Sequence, residues 1–262
     1  MMNCKKLSKC TTALYLAFVG AFANATEVQV AVAANFYKPM LAIAQMYEAD
    51  SQHKVSISVG STGKLYAQIA NGAPFDLFYA ADQLRPSKLV ELGLAEPNSQ
   101  QTYALGRLVL WSKQSNLVDK NGAVLNSENF NYLAICNPKT APYGAAALST
   151  LTNMTLLDSL QSKLVEGQSV GQTFQQVSSG SAELGFVALS QVLNDGKLES
   201  GSMWLVPDSF YKPIKQDLVL LNRAANNPAA TSLIAFMNTP KVNALIKQFG
   251  YGLPAQSAFN RT

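Results

Sequence analysis

The segment Gly60-Ser61-Thr62-Gly63-Lys64-Leu65 stands where one periodicity gives way to another. Before it, Val55, Ile57 and Val59 alternate with polar residues, the period of a strand. After it, Leu65 and Ile69 recur at helical spacing. The same switch occurs upstream, where Val28, Val30 and Val32 lead through Ala33-Ala34-Asn35 into the stripe Phe36, Met40, Ile43 and Tyr47. Two successive strand–turn–helix units predict an α/β fold in which ligands lie at the carboxyl ends of the strands. The turns themselves predict an anion seat. Backbone N–H groups at a helix start have no intrahelical acceptor, and the Ser61 and Thr62 hydroxyls stand beside them. Asn35 repeats the arrangement, so two seats can converge on one small anion.

Residues 1–25 read as an export leader rather than as part of the fold. Lys5, Lys6 and Lys9 precede the apolar run Ala13 to Ala23, and Ala23-Asn24-Ala25 offers a small-residue cleavage site. The expected mature chain starts at Thr26 and is periplasmic. Cys4 and Cys10 lack the Leu and small residues that precede a lipidated cysteine. Removing the leader takes three lysines from a chain of formal net charge +4, leaving it nearly neutral with no basic stripe for nucleic acid. Cys136 then remains alone in the apolar run Tyr132-Leu133-Ala134-Ile135 and is expected to be a buried thiol. At 48% hydrophobic residues the chain can build one large or two medium lobes.

Further along, Leu77 to Ala80 reads as a buried strand, with Asp76 as a turn or hinge residue and Asp82 as the cap of the next helix. Strands are expected at Leu105–Trp111, Tyr132–Cys136, Leu184–Ala188 and Leu218–Leu221. A helix is expected at Ala145–Leu151, and the stripe Val170, Phe174, Val177 predicts another, stopped by Gly180. Each group of strands is expected to form a mostly parallel sheet.

Ser61-Thr62-Gly63-Lys64 fails as a nucleotide phosphate loop. Leu65 stands where Ser or Thr should follow the lysine, and the upstream glycine position holds Ser58. Catalysis has little to build on. The only histidine, His53, lies in a polar connection, and no metal-binding spacing of Cys or His occurs. Tyr143, in Pro142-Tyr143-Gly144, sits at a loop-like helix start where a phenol can face a cleft. Val170 opens a helix after Gly167-Gln168-Ser169, leaving its own N–H unpaired.

Taken together, Ala33-Ala34-Asn35-Phe36, Gly60 to Leu65 and above all Asn71-Gly72-Ala73-Pro74-Phe75-Asp76-Leu77-Phe78-Tyr79-Ala80-Ala81-Asp82 resemble the periplasmic molybdate-binding proteins of bacterial ABC importers, of the type II substrate-binding class. Leu105 to Leu110 is similar to the family's entry into its second lobe, and Phe249-Gly250-Tyr251 to its C-terminal signature. The resemblance implies two lobes joined by two crossings near Ala104 and Asp217: residues 26–104 with 218–262, and residues 105–217. It implies ligands at Asn35, Ser61 and Thr62 on one lobe and at Tyr143 and Val170 on the other. Side chains of Asn35, Ser61, Thr62 and Tyr143 are expected to donate, with backbone N–H groups of Thr62, Tyr143 and Val170. Where some members carry a ligand tyrosine after the Gly-x-Val strand this chain has Ala188, so its phenol is expected from Tyr143 instead.

The implied activity is capture of molybdate or tungstate, as ligand and not as cofactor, by a monomer that passes it to a membrane permease. A sulfate or other tetrahedral oxyanion receptor is the alternative within the class. A sensory protein on the same fold, without transport, is the alternative outside it. No enzyme activity is expected.

Overall fold

The computed structural model of the protein describes residues 26–254, so the leader expected at 1–25 lies outside the described residues. The chain builds two five-stranded sheets flanked by helices. In the first lobe, β1 (Glu27–Ala33), α1 (Tyr37–Ser51), β2 (Lys54–Gly60), α2 (Thr62–Ala70), β3 (Leu77–Tyr79), α3 (Leu84–Glu91) and β4 (Gln101–Gly106) follow in order. The second lobe holds β5 (Leu108–Ser112), β6 (Leu133–Cys136), α4 (Pro142–Asn153), the short α5 (Leu157–Leu160), β7 (Leu164–Gly167), α6 (Val170–Ser178) and β8 (Leu184–Ala188). After α7 (Leu189–Val192), a small hairpin of β9 (Leu193–Asn194) and β10 (Lys197–Leu198), and β11 (Ser202–Leu205), the chain returns. It then completes the first lobe with β12 (Ile214–Leu220), α8 (Pro228–Met237) and α9 (Pro240–Gln248).

The strand orders are β2-β1-β3-β12-β4 and β11-β5-β8-β6-β7. In the first sheet β12 alone is reversed, antiparallel to both neighbours, and in the second sheet β5 alone is. Each reversed strand is the first one formed after the chain changes lobes. The expectation of mostly parallel sheets therefore holds in both, and the helices lie on their faces.

Period-two alternation sorts the first lobe's core. Val28, Val30, Val32, Leu77, Tyr79 and Leu218 pack with α1, α8 and α9, whereas Ala31, Phe78 and Val219 pack on the other face with α2 and α3. The second lobe's core gathers β5, β6 and β8 against α4 and α6. Ala33 and Ala81 of the first lobe belong to that second core, so the two lobes pack directly on each other.

One expected strand is corrected. Leu105–Trp111 is two strands in two different sheets: Leu105 and Gly106 pair with Lys215 and Ile214, while Leu108 to Trp111 pair with β8 and β11. The break falls at Arg107, whose carbonyl accepts the Leu189 N–H at 3.0 Å. The first crossing thus lies at Arg107 rather than near Ala104. The second lies within 206–213 rather than near Asp217, because Ile214 to Asp217 already pair with β4. Tyr211 anchors that second segment, its hydroxyl accepting the Leu108 N–H at 3.2 Å.

Candidate functional site

A helix that follows directly on a strand's carboxyl end points its unpaired N–H groups at whatever lies beyond the sheet. Here the starts of α2, α4 and α6 and the 3-10 turn Ala34–Phe36 surround one small cavity between the lobes. Asn35, Ser61 and Thr62 line it from the first lobe, Tyr143 and Val170 from the second, and no lining residue is charged. The centre of a water-sized sphere has about 10 Å³ to move in, the scale of a single small guest. A larger, open groove of about 550 Å³ lies elsewhere, running from Arg85 past Pro142 to Lys215, and it includes none of these five residues.

Ser61 is the N-cap of α2, extended at φ −71°, ψ 148°, and its hydroxyl oxygen accepts the Lys64 N–H at 3.4 Å. Thr62 Oγ1 accepts the Ala81 N–H at 3.0 Å. Each hydroxyl is oriented by the bond it accepts and keeps its own proton to donate. The Thr62 N–H has no acceptor among the described residues. Its neighbour Gly63 uses its N–H differently, donating to Thr140 O of the other lobe at 2.8 Å. A side chain at Gly63 would press within 3.0 Å of the Thr140 backbone, so glycine is what lets the lobes meet there. Lys64 points to solvent, as expected.

On the second lobe, Pro142 occupies the first turn of α4 after an extended Ala141, and Ser169 caps α6 by accepting the Gln172 N–H at 3.3 Å. Among the described residues neither the Tyr143 nor the Val170 N–H has a protein acceptor. All five expected residues are therefore brought together, but two of the expected donor atoms change. Both hydrogens of the Asn35 side-chain amide are committed, to Gln216 Oε1 at 2.7 Å and to Tyr251 Oη at 3.0 Å. Asn35 instead keeps a backbone N–H with no acceptor among the described residues, while its carbonyl accepts the Ser190 hydroxyl at 2.9 Å. Tyr143 has its hydroxyl beside Gly106 and Gln216 Nε2, where β4 and β12 reach the lobe crossings, and its backbone N–H belongs to the helix start at the cavity. Burial holds that phenol well above its ordinary pKa, so it is neutral.

Ala188 ends β8 with its N–H bonded to Gln191 Oε1 at 3.0 Å, and it does not line the cavity. Gln216, Ser190 and Thr140, which orient or close the site, were not singled out from the sequence, and Tyr251 was noted only as part of the C-terminal run Phe249-Gly250-Tyr251. Gln216 precedes the apolar run beginning at Leu218 that marked the strand, and no local spacing flags it. Asp82, expected as the cap of α3, lies one residue before the actual N-cap Gln83 but accepts the Arg85 N–H at 3.0 Å. Asp76 does more than turn the chain: it is buried, accepts the Gln29 N–H at 2.8 Å and pairs with Arg223 at 3.2 Å. Cys136 is buried and its thiol is pushed up to about 12 by desolvation, which makes it inert. His53 bonds Thr26 through Nδ1, away from the cavity.

Residues 28–252 match the family described as bacterial extracellular solute-binding protein. The molybdate-binding protein ModA of Azotobacter vinelandii is 52% identical, over 94% of this chain and 98% of its own. The molybdate-binding protein ModA of Rhodobacter capsulatus is 45% identical, over 87% and 89% respectively. Among solved structures, a periplasmic molybdate-binding protein of Azotobacter vinelandii superimposes with a TM-score of 0.85 at 43% identity, covering 87% of this chain and all of that one.

Proposed function

The chain belongs to the molybdate-binding ModA family of bacterial extracellular solute-binding proteins, and from that premise we propose that it captures molybdate, or tungstate, in the periplasm and delivers it to the permease of a membrane ABC importer. The observation that carries the reading is the charge-free cavity ringed by helix starts from both lobes. A desolvated dianion needs a donor for each oxygen lone pair it presents. Hydrogen bonds to an ionised acceptor contribute about 1.5–3 kcal/mol each. Backbone N–H groups of Asn35, Thr62, Tyr143 and Val170 and the hydroxyls of Ser61 and Thr62 form such a set. The helix dipoles add partial positive charge without a cation. Leaving lysine and arginine out of the cavity keeps the anion releasable.

The same set explains selectivity. The Ser61 and Thr62 oxygens each already accept an N–H bond and the other cavity groups are backbone donors, so the proton of a hydrogen phosphate is poorly matched and displaces a donor from the anion. Sulfate, with its shorter bonds, leaves the donors out of reach, while molybdate and tungstate share one shape. The protein acts as a monomer that binds and releases its ligand unchanged, with no cofactor.

A thermal-shift comparison of molybdate, tungstate, sulfate and phosphate tests the reading. Molybdate and tungstate are expected to raise the unfolding midpoint, by an amount corresponding to about 2.7 kcal/mol at a hundredfold excess over Kd. Sulfate and phosphate are expected to leave it nearly unmoved. Equal stabilisation by sulfate would favour a general oxyanion receptor, and no shift with any of the four would overturn the proposal.

A further inference from the structure

Tyr143 belongs to α4 of the second lobe, yet its hydroxyl ends against β4 and β12 of the first, at the two strands that run into the lobe crossings. Five buried side-chain polar atoms lack a partner among the described residues, and two of them, Tyr143 Oη and Gln216 Nε2, stand beside the same glycine, Gly106. They are chemically complementary, an amide N–H donor and a phenol oxygen that accepts. The Gln216 amide is held in orientation, because its Oε1 already receives the Asn35 amide at 2.7 Å. That bond fixes Nε2 on the opposite side.

Gly106 makes room for both groups. A Cβ there would fall within 3.0 Å of Tyr143 Oη and of Gln216 Nε2. Its φ is not among the positive ones, so the backbone itself would accept alanine. Space, not conformation, requires the glycine in this closed arrangement.

We propose that Gly106 and Gln216 form a socket for the Tyr143 phenol, and that filling this socket couples lobe closure to seating of the anion. The inference rests on the cavity being the anion seat. Asn35 touches the seat through its backbone and the socket through its amide, and Tyr143 touches the seat through its N–H and the socket through its hydroxyl. When the lobes part, water solvates the phenol and the amide. On closing, the phenol enters the space beside Gly106 and both groups give up that water without gaining a partner among the described residues, a cost that the anion's bonds to the Asn35 and Tyr143 N–H groups offset. Gln216 and Gly106 are thus positioning residues that never touch the anion.

The test is titration calorimetry with sodium molybdate on the wild type, Gly106→Ala, Tyr143→Phe and the double variant, with small-angle scattering of each at saturation. Gly106→Ala is expected to bind about tenfold or more weakly and to compact incompletely, while its ligand-free unfolding midpoint stays at the wild-type value. Tyr143→Phe placed on top of Gly106→Ala removes the oxygen that meets the new Cβ, so the double variant is expected to bind more tightly than Gly106→Ala alone. A glycine needed only for folding would show no such rescue. Gly106→Ala binding and closing as the wild type does, or a double variant weaker than Gly106→Ala, would overturn the socket. Absence of molybdate binding by the wild type would count against the proposed function instead. If Gly106→Ala lowers the ligand-free midpoint, the rescue comparison alone decides.

Discussion

Thr62 offers the cavity two donors from one residue, the first backbone N–H of α2 and a hydroxyl held in place by the bond it accepts from Ala81. Thr62→Val keeps the shape and the backbone N–H but loses the hydroxyl, and it leaves the buried Ala81 N–H without an acceptor. Molybdate affinity is expected to fall by about 1.5–3 kcal/mol, roughly ten- to a hundredfold, as read by titration calorimetry. Unchanged affinity would remove the hydroxyl from the donor set. The positions of Thr62 and Ser61 were legible in the sequence because a strand giving way to a helix leaves unpaired N–H groups at the turn, beside which their hydroxyls stand. Asn35 was legible as a position and not as a set of atoms. Its amide is captured by Gln216 and Tyr251, more than 180 positions away along the chain, and no local pattern carries that information.

The elements that join the lobes show the same division. The apolar run Leu105 to Trp111 contains only Gly106-Arg107 as punctuation, and a run of that length reads as one strand. The fold divides it because β4 needs β12 as partner and β5 needs β8 and β11, which lie in different sheets. The strand β12 changes register between Gln216 and Asp217. At that bulge the buried Asp217 carboxylate accepts the Thr102 hydroxyl at 2.6 Å and side-chain amides of Gln100 at 2.8 Å and Gln83 at 3.2 Å. Asp217→Ala would strand these donors. The expected cost is about 2–3 kcal/mol of unfolding free energy in a urea titration, with the slope unchanged. Wild-type stability in that variant would mean that the bulge is held by the backbone alone. By contrast, α2 and α6 were read to within a residue or two, since each begins at a hydroxylated cap and ends where its apolar spacing stops.

At the scale of the molecule, the lobes are closed over the cavity. Gly63 donates to Thr140 O, Arg85 Nη2 to Lys139 O at 2.9 Å, Ser190 to Asn35 O and Lys38 Nζ to Gln191 O at 3.3 Å, all across the cleft. The Lys38–Glu199 pair at 3.7 Å is about half exposed on both sides and adds little to this. The α/β character was readable because successive strand–turn–helix units leave few alternatives, whereas the division into two lobes came from the family resemblance. The contacts between lobes were not readable, since they join loops that periodicity does not describe. The central claim is that this closed, uncharged cavity holds one tetrahedral dianion on donors from both lobes. Titration calorimetry of molybdate into the wild-type protein, repeated in a large excess of sulfate, tests it most directly. The account predicts one molybdate per chain, with an affinity that sulfate barely lowers. Sulfate competing on equal terms, or a stoichiometry other than one, would contradict it.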